Sequence, residues 1–163
     1  MKTIGIIGTH GKTSILYILE HILFQCKKNV GSLGDLGSRI NKNKLPSDID
    51  WMKAIEEMKK NDVEFLLMEI HDNSMFFDMT FDCVILSSMD NSKNKDVLEE
   101  YKRLIYNAKS VLLNADSEGS LELIKGISDL YVITYGINPK STVTASTIYV
   151  SEGRIEYNYY LQR

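Results

Sequence analysis

The segment at residues 5–14, GIIGTHGKTS, constrains the fold most, because it joins a short apolar run to a long helical pattern. A strand that ends in a glycine-bracketed loop, followed by a lysine and two hydroxyl residues at a helix start, is typical of a phosphate-binding loop. The glycines allow backbone N–H groups to surround an anion, and the helix N-terminus adds positive potential. The alternative is a plain strand-to-helix turn that uses glycine only for its geometry.

The loop predicts specific roles for its side chains. Lys12 would reach the β- and γ-phosphates of a nucleotide, and the hydroxyl of Thr13 would bind Mg²⁺. The spacing departs from the standard Gly-x-x-x-x-Gly-Lys-[Ser/Thr] motif, because Ile6 stands where the first glycine belongs. We interpret His10 as shaping the loop rather than as an acid or base. The predicted phosphate-binding residues are Gly8, Thr9, His10, Gly11, Lys12, Thr13 and Ser14.

Apolar runs of strand length alternate with helical patterns along the chain, which predicts an α/β fold with three layers and a mostly parallel sheet. The final segment has two alternating stretches around residues 151–153, which predicts an antiparallel hairpin at the sheet edge. In the first helix, Ile18 and Ile22 are expected to face inward and Glu20 outward. The predicted strands span residues 3–7, 28–33, 63–70, 81–88, 110–116 and 130–136, and the predicted helices span 15–26, 51–60, 96–108 and 118–125.

The composition is that of an ordinary globular domain, with 163 residues, 44% hydrophobic and 25% charged. No linker divides the chain, so we expect one domain over residues 1–163. The net charge of −3 and the dispersed basic residues argue against nucleic acid or an anionic membrane as a partner. With no signal-peptide pattern and with Cys26 and Cys83 interpreted as core residues, a cytoplasmic location is expected.

The loop GTHGKTS resembles the Gly-Thr-(Asn/His)-Gly-Lys-(Thr/Ser) loop of the Mur ligases, ATP-dependent enzymes that add amino acids to the cell-wall precursor. The resemblance covers nearly the whole chain, but only the central ATP-binding domain of a three-domain family. It therefore implies that the N-terminal and C-terminal domains of the family are absent from residues 1–163. The further segments that resemble the family are NVGSLGDLG, LLMEIHDNSM, FDCVILSSM, SVLLNADSE and VITYG.

The resemblance implies ATP and Mg²⁺ as cofactors and ligation of a carboxylate to an amine as the activity. In the family, ATP phosphorylates the carboxylate and the amine then attacks the acyl phosphate. Glu69 matches the family's magnesium-binding glutamate, which would make Lys12 and Glu69 the catalytic residues and Thr13 and Glu69 the metal ligands. Asn114 and Asp116 match residues near the adenine and ribose. The alternative for Glu69 is an exposed strand-end charge, and for Asn114 and Asp116 it is turn chemistry.

Three departures from the family pattern affect the expected activity. The family places an Asp-His pair after the strand FDCVILSSM, and its histidine binds a second metal, whereas residues 90–96 here contain no histidine. The family's lysine, which is carbamylated in several members, should fall near Ile105 when Tyr101 is aligned, so Lys102 is out of register. His71 lies two residues before the family's histidine, and we interpret it as an edge polar residue.

Three functions remain open on this evidence. The chain could be a ligase domain that acts only with partner protein supplying the missing substrate domains. It could instead be a small P-loop ATPase or phosphotransferase, or a non-catalytic pseudo-ligase that binds nucleotide. The loop and Glu69 favour nucleotide and metal binding in all three, and the missing histidine favours the pseudo-ligase over the ligase.

Overall fold

The computed structural model describes residues 1–71, 79–89, 95–117 and 119–162. Within these residues the strands and helices alternate along most of the chain, and two strands form a hairpin at its end. The elements in chain order are β1 (Lys2–Ile7), α1 (Lys12–Gln25), β2 (Val30–Leu33), β3 (Arg39–Ile40), β4 (Asn43–Lys44), α2 (Trp51–Lys60), β5 (Phe65–Glu69), β6 (Cys83–Leu86), α3 (Lys95–Tyr106), β7 (Ser110–Asn114), a 3-10 helix (Ser120–Ile124), β8 (Tyr131–Gly136), β9 (Val143–Ser151) and β10 (Arg154–Leu161).

All ten strands join one sheet in the order β10-β9-β8-β7-β6-β1-β5-β2-β3-β4. β1 lies at the centre and pairs in parallel with β5 and β6, with Ile4 opposite Leu67 on one side and Cys83 on the other. The parallel pairing continues outward through β2 on one side and through β7, β8 and β9 on the other. The predicted parallel sheet is confirmed. Because these strands are parallel, the carboxyl ends of β1, β5 and β6 lie side by side, and α/β proteins bind ligands at the carboxyl ends of their strands.

Two apolar cores lie on opposite faces of the sheet, which makes the predicted three layers. On one face, Leu16 of α1 packs with Ile6, Val30 and Leu67. On the other face, α2, α3 and the 3-10 helix cover the alternate residues of the same strands. Central strands are apolar on both sides because both sides are covered, as the continuous apolar runs predict.

The expected orientation of α1 is partly wrong. Ile18 and Ile22 are exposed, and Glu20 is buried. Glu20 turns inward because Arg39 of β3 lies beneath the helix and pairs with it, with Arg39 Nη2 and Glu20 Oε2 3.1 Å apart. A two-residue strand such as β3 is too short to show periodicity, so this partner could not be predicted from the sequence pattern. Cys26 is exposed as well, contrary to its interpretation as a core residue.

The region after β7 also differs from expectation, because a 3-10 helix over Ser120–Ile124 replaces the helix predicted at 118–125. Gly119, with a positive φ of 79°, is the N-cap residue of this short helix. Glu118 is outside the described residues. α2 begins as expected after Asp50, whose carboxylate accepts a hydrogen bond from the backbone N–H of Lys53.

The C-terminal hairpin confirms the prediction of an antiparallel edge. Ser151 pairs with Arg154, so the connecting turn has two residues, and Gly153 supplies the positive φ of 75° that such turns need. β10 forms one end of the sheet and is exposed along its whole length. In the part of the chain that the structure describes, no helix is long and apolar enough to cross a bilayer.

Candidate functional site

The predicted phosphate loop connects β1 to α1 and lies directly against the end of β6. Gly8 adopts a φ of +132°, and a Cβ atom there would lie 2.2 Å from Ser87 Oγ and 2.7 Å from the carbonyl oxygen of Ser88. Glycine is therefore required for close approach as well as for backbone conformation. Gly11, with a φ of 81°, precedes the first residue of α1.

Ser87 and Ser88 fix the backbone of the loop, although the sequence reasoning assigned them no role. Ser87 Oγ donates to the carbonyl oxygen of His10 at 2.6 Å, and the N–H of His10 donates to Ser88 Oγ at 3.0 Å. The N–H of Thr9 donates to the carbonyl oxygen of Ser88 at 3.0 Å. His10 contributes to the loop through its backbone in these bonds. The signal that could have found the pair is two hydroxyl residues directly after a buried apolar strand.

Lys12, Thr13 and Glu69 come together at the start of α1. Lys12 Nζ donates to the carbonyl oxygen of Gly8 at 2.9 Å, which places its charge over the loop. Thr13 Oγ1 donates to Glu69 Oε1 at 2.7 Å. The side chain of Glu69, at the end of β5, is only 2% exposed, so it is not the exposed strand-end charge of the alternative interpretation. Ser14 lies in the same helical turn and is exposed.

Two further residues that the sequence reasoning did not assign to the site surround the carboxylate of Glu69. His71 Nε2 lies 2.7 Å from Asp35 Oδ1 and 3.8 Å from Glu69 Oε1. The backbone N–H of Asp35 donates to Glu69 Oε2 at 3.3 Å. Asp35 comes from the glycine-rich loop after β2, and His71 follows β5, so the order of the strands in the sheet brings them together. Residues 72–75, which complete the segment resembling the family here, lie outside the described residues.

Asn114 is the last residue of β7 and Asp116 follows it by two residues, and both form hydrogen bonds typical of a turn. Asn114 Oδ1 accepts a hydrogen bond from the N–H of Asp116 at 3.0 Å. The carboxylate of Asp116 accepts hydrogen bonds from the backbone N–H groups of Ile137 and Asn138, at 2.7 and 3.0 Å. These bonds join the ends of β7 and β8. They support the interpretation that the two residues stabilise turns, a role that is compatible with lining a binding site.

The same two residues line a pocket of about 380 Å³ between the ends of β7 and β8 and the C-terminal hairpin. Asn114 Nδ2 donates to the carbonyl oxygen of Ser87 at 3.1 Å, so Ser87 contacts both the phosphate loop and the wall of this pocket. Burial raises the pKa of the Tyr135 phenol, and the nearby Asp116 carboxylate raises it further. The other lining residues are mainly apolar or aromatic: Tyr135, Gly136, Ile137, Val143, Ala145, Tyr157 and Tyr159.

The two residues of α3 that the family comparison singled out, Lys102 and Ile105, lie away from the phosphate loop. Ile105 is fully buried in the core, and Lys102 lies on the outer face of α3, where Nζ pairs with Glu99 Oε1 at 3.0 Å. Residues 90–94, which precede α3 and lack the family's histidine, lie outside the described residues. A pocket of about 520 Å³ borders α3, but none of the predicted site residues lines it.

The donor set at the loop suits a hard divalent cation. A threonine hydroxyl and a buried carboxylate provide oxygen ligands, and Mg²⁺ prefers oxygen ligands together with those of a bound phosphate. Gly8 and Gly34 leave space beside these oxygen ligands because they have no Cβ atom. A Cβ at Gly34 would lie 2.8 Å from Glu69 Oε2. The residues present therefore fit a magnesium-bound phosphate chain over the start of α1.

Comparison with known proteins identifies the family to which this chain is similar. The profile of the family described as the Mur ligase middle domain matches residues 6–161. The chain is 25% identical to UDP-N-acetylmuramoyl-L-alanyl-D-glutamate–2,6-diaminopimelate ligase of Clostridium botulinum, over 97% of this chain and 36% of that protein. It is 28% identical to the ligase of the same name from Caldanaerobacter subterraneus subsp. tengcongensis, over 99% of this chain and 37% of that protein. The chain thus spans a little over a third of the length of these relatives.

Solved structures show the same fold. A UDP-N-acetylmuramoyl-L-alanyl-D-glutamate–2,6-diaminopimelate ligase superposes with a TM-score of 0.85 at 17% identity, covering 99% of this chain and 37% of that one. A Mycobacterium tuberculosis folylpolyglutamate synthase complexed with ADP superposes with a TM-score of 0.73 at 11% identity, covering 97% of this chain and 46% of that one. With the profile match over almost all of its length, the chain belongs to the Mur ligase middle-domain family.

Proposed function

We propose that this chain binds Mg·ATP, with the phosphates over Gly8–Ser14, as the nucleotide-binding domain of a carboxylate–amine ligase. The observation that carries the proposal is the contact of Thr13 Oγ1 with the buried Glu69 Oε1 at 2.7 Å. It brings two hard oxygen ligands together at the N-terminus of a helix, beside the ammonium of Lys12. The ligases among its relatives and the ADP complex of a structural neighbour support the same assignment.

Each residue of the site has a defined task in this proposal. Bound Mg·ATP would supply the phosphoryl group that activates a carboxylate. Lys12 would neutralise charge on the terminal phosphates, while Thr13 and Glu69 would hold the metal. Ser87 and Ser88 would keep the loop backbone in place through their bonds to His10.

The pocket beside Asn114 and Asp116 is the proposed site of the adenosine. Its volume of about 380 Å³ and its apolar and tyrosine lining suit a planar aromatic base, with polar groups at the rim. The carboxylate of Asp116 already accepts hydrogen bonds from two backbone N–H groups. It would therefore contribute to adenosine binding mainly by holding the pocket wall in place. The acceptor carboxylate and the amine would be bound outside these residues, with the help of partner protein or further domains.

A nucleotide-binding module without turnover is the second candidate. It is favoured by the absence of a histidine from residues 90–96 and by the burial of Ile105 where the family's lysine is expected. Both candidates require ATP binding, and they differ in turnover when the substrate-binding partners are present.

Calorimetric titration with ATP, with and without Mg²⁺, tests the shared part of the proposal. We expect Mg²⁺ to strengthen ATP binding to the natural chain, and we expect Glu69→Gln and Thr13→Val to lose most of that gain while still binding weakly. Glu56→Gln, on the exposed surface of α2, is the matched control and should behave as the natural chain does. An ATP affinity that is independent of Mg²⁺, or equal in Glu69→Gln and the natural chain, would contradict the proposal.

A further inference from the structure

We infer that Asp35, Glu69 and His71 form a binding site for a single transition-metal cation, with Mn²⁺ as the probe ion. The site uses residues other than those that the family resemblance assigns to a second metal. It requires no nucleotide, so it stands apart from the proposed function, although the two share Glu69. Within the described residues, this is the one group of at least three histidine, cysteine or carboxylate side chains placed to hold a metal ion.

The distances within the group suit one ion. His71 Nε2 lies 2.7 Å from Asp35 Oδ1 and 3.8 Å from Glu69 Oε1, and all three ligand atoms lie within 4.8 Å of one another. Ligand atoms about 2.1 Å from a shared ion are roughly 3.0–3.4 Å apart in octahedral or tetrahedral geometry. The observed spacings lie on either side of that range, so small side-chain rotations would complete the coordination.

The burial of Glu69 also favours a cation beside its carboxylate, which accepts hydrogen bonds from Thr13 and from the backbone of Asp35. Its side chain is 2% exposed, and the backbone at Gly34 closes over it, so water has little access to the carboxylate. Buried carboxylates are normally paired with a cation or coordinate a metal. Among the described residues, the only basic side chain found within ion-pair distance of Glu69 is His71, at 3.8 Å. The ammonium of Lys12 donates to the carbonyl oxygen of Gly8.

The nature of the ligands selects the class of metal. Two carboxylates and one imidazole suit Mn²⁺, Fe²⁺, Co²⁺ or Zn²⁺, whereas Mg²⁺ prefers a set made only of oxygen. Asp35 and His71 are about half exposed, at 58% and 48% of the side chain, so an ion can reach the site from solvent. Glu69 Oε1 also accepts a hydrogen bond from the hydroxyl of Thr13, so this site and the proposed magnesium position share that oxygen.

Titration of the nucleotide-free chain with Mn²⁺, followed by electron paramagnetic resonance, tests the inference. We expect one Mn²⁺ per chain, with affinity reduced at least tenfold in Asp35→Asn and in His71→Gln. Pulsed measurements should detect an imidazole nitrogen bound to the ion in the natural chain and not in His71→Gln. The matched controls are Asp48→Asn and His21→Gln, which change exposed residues of the same types and should leave the titration unchanged.

The outcomes separate this inference from the proposed function. Lys12→Ala is expected to weaken ATP binding while leaving Mn²⁺ binding as in the natural chain. Failure to bind Mn²⁺ would overturn the metal site even if ATP binds. Equal Mn²⁺ affinity in His71→Gln and the natural chain would overturn it too. Mn²⁺ binding with the expected losses, in a chain that does not bind ATP, would support the metal site and contradict the proposed function.

Discussion

The ammonium of Lys12 donates a hydrogen bond to the carbonyl oxygen of Gly8, 2.9 Å away, and so spans the loop between β1 and α1. The two residues are four apart in sequence, and the carbonyl holds the lysine side chain over the loop backbone. A lysine in this position can move from the carbonyl to a bound phosphate with a small rotation of its side chain.

Lys12→Ala should therefore weaken ATP binding far more than it affects stability. We expect a loss of about 1.5–3 kcal/mol, because hydrogen bonds to charged groups have this size, which is roughly a ten- to hundredfold rise in Kd. Lys59→Ala, which removes an exposed lysine of α2, is the control. Calorimetry with Mg·ATP gives the comparison, and an unchanged affinity in Lys12→Ala would mean that the loop is only structural.

Gly8→Ala should destabilise the fold more than the same change at another glycine with positive φ. Gly37 has a φ of +92° and no atom within 4 Å of a new Cβ, so Gly37→Ala measures the backbone strain alone, about 1–3 kcal/mol. Gly8→Ala adds a clash with Ser87 and with the backbone of Ser88, for a further loss of about 1–3 kcal/mol. Urea unfolding of both variants measures the difference. Equal losses would show that the loop can move away from β6.

Replacing only one residue of the Glu20–Arg39 ion pair should lower the free energy of unfolding strongly. Both side chains are at least 96% buried, and the hydroxyl of Ser32 also donates to Glu20 Oε1 at 2.8 Å. Glu20→Met or Arg39→Met alone leaves a buried charge and should lower the free energy of unfolding by about 3–5 kcal/mol. The double variant should lose much less than the sum of the two, since it leaves no unpaired charge. Additive losses in a double-mutant cycle would contradict this account of the pair.

Asp82 should make stability depend on pH in the acid range. The Lys109 ammonium and the backbone N–H of Thr3, which donate to its carboxylate at 2.7 and 2.9 Å, lower the pKa of Asp82 in the folded chain. Because the pKa of Asp82 is lower in the folded chain than in the unfolded chain, the ionised carboxylate stabilises the fold at pH values above the unfolded pKa of about 3.9. That stabilisation is lost as the pH falls through the folded pKa. Asp82→Asn should thus lower stability at pH 7 by about 1 kcal/mol and remove part of the acid dependence. Thermal unfolding between pH 2.5 and 7, with Asp48→Asn as the control, tests the sign.

The chain alone should bind Mg·ATP yet hydrolyse it slowly. Phosphoryl transfer depends on positioning and charge neutralisation. The histidine that the family resemblance assigns to a second metal is missing from residues 90–96, and the family's lysine is missing from position 105. A phosphate-release assay should find turnover well below about 1 s⁻¹, the low end of ordinary enzyme rates. Faster turnover by the purified chain would show that other residues supply the missing charge, and the group around His71 would be the first to test.

The sequence alone predicted the elements whose pattern is local. The strand-to-helix loop at residues 8–14, the apolar central strands and the hairpin with Gly153 at its turn are each visible within about ten residues, because periodicity and turn chemistry are short-range. The identity of the family followed from the same local segments. Errors occurred where the pattern was weak, as in the 3-10 helix at Ser120–Ile124 and the two-residue strands β3 and β4.

Only the tertiary structure decided which distant side chains meet. Asp35, Glu69 and His71 come from the ends of neighbouring strands, and Ser87 reaches both the loop and Asn114 because β6 lies between β1 and β7. The burial of Glu20 likewise depends on Arg39, which lies nineteen residues further along the chain. Strand order in the sheet is set by how the helices and strands pack, and no spacing within the sequence encodes it directly. The sequence thus determined the residue types available at the site, and the parallel sheet determined their arrangement.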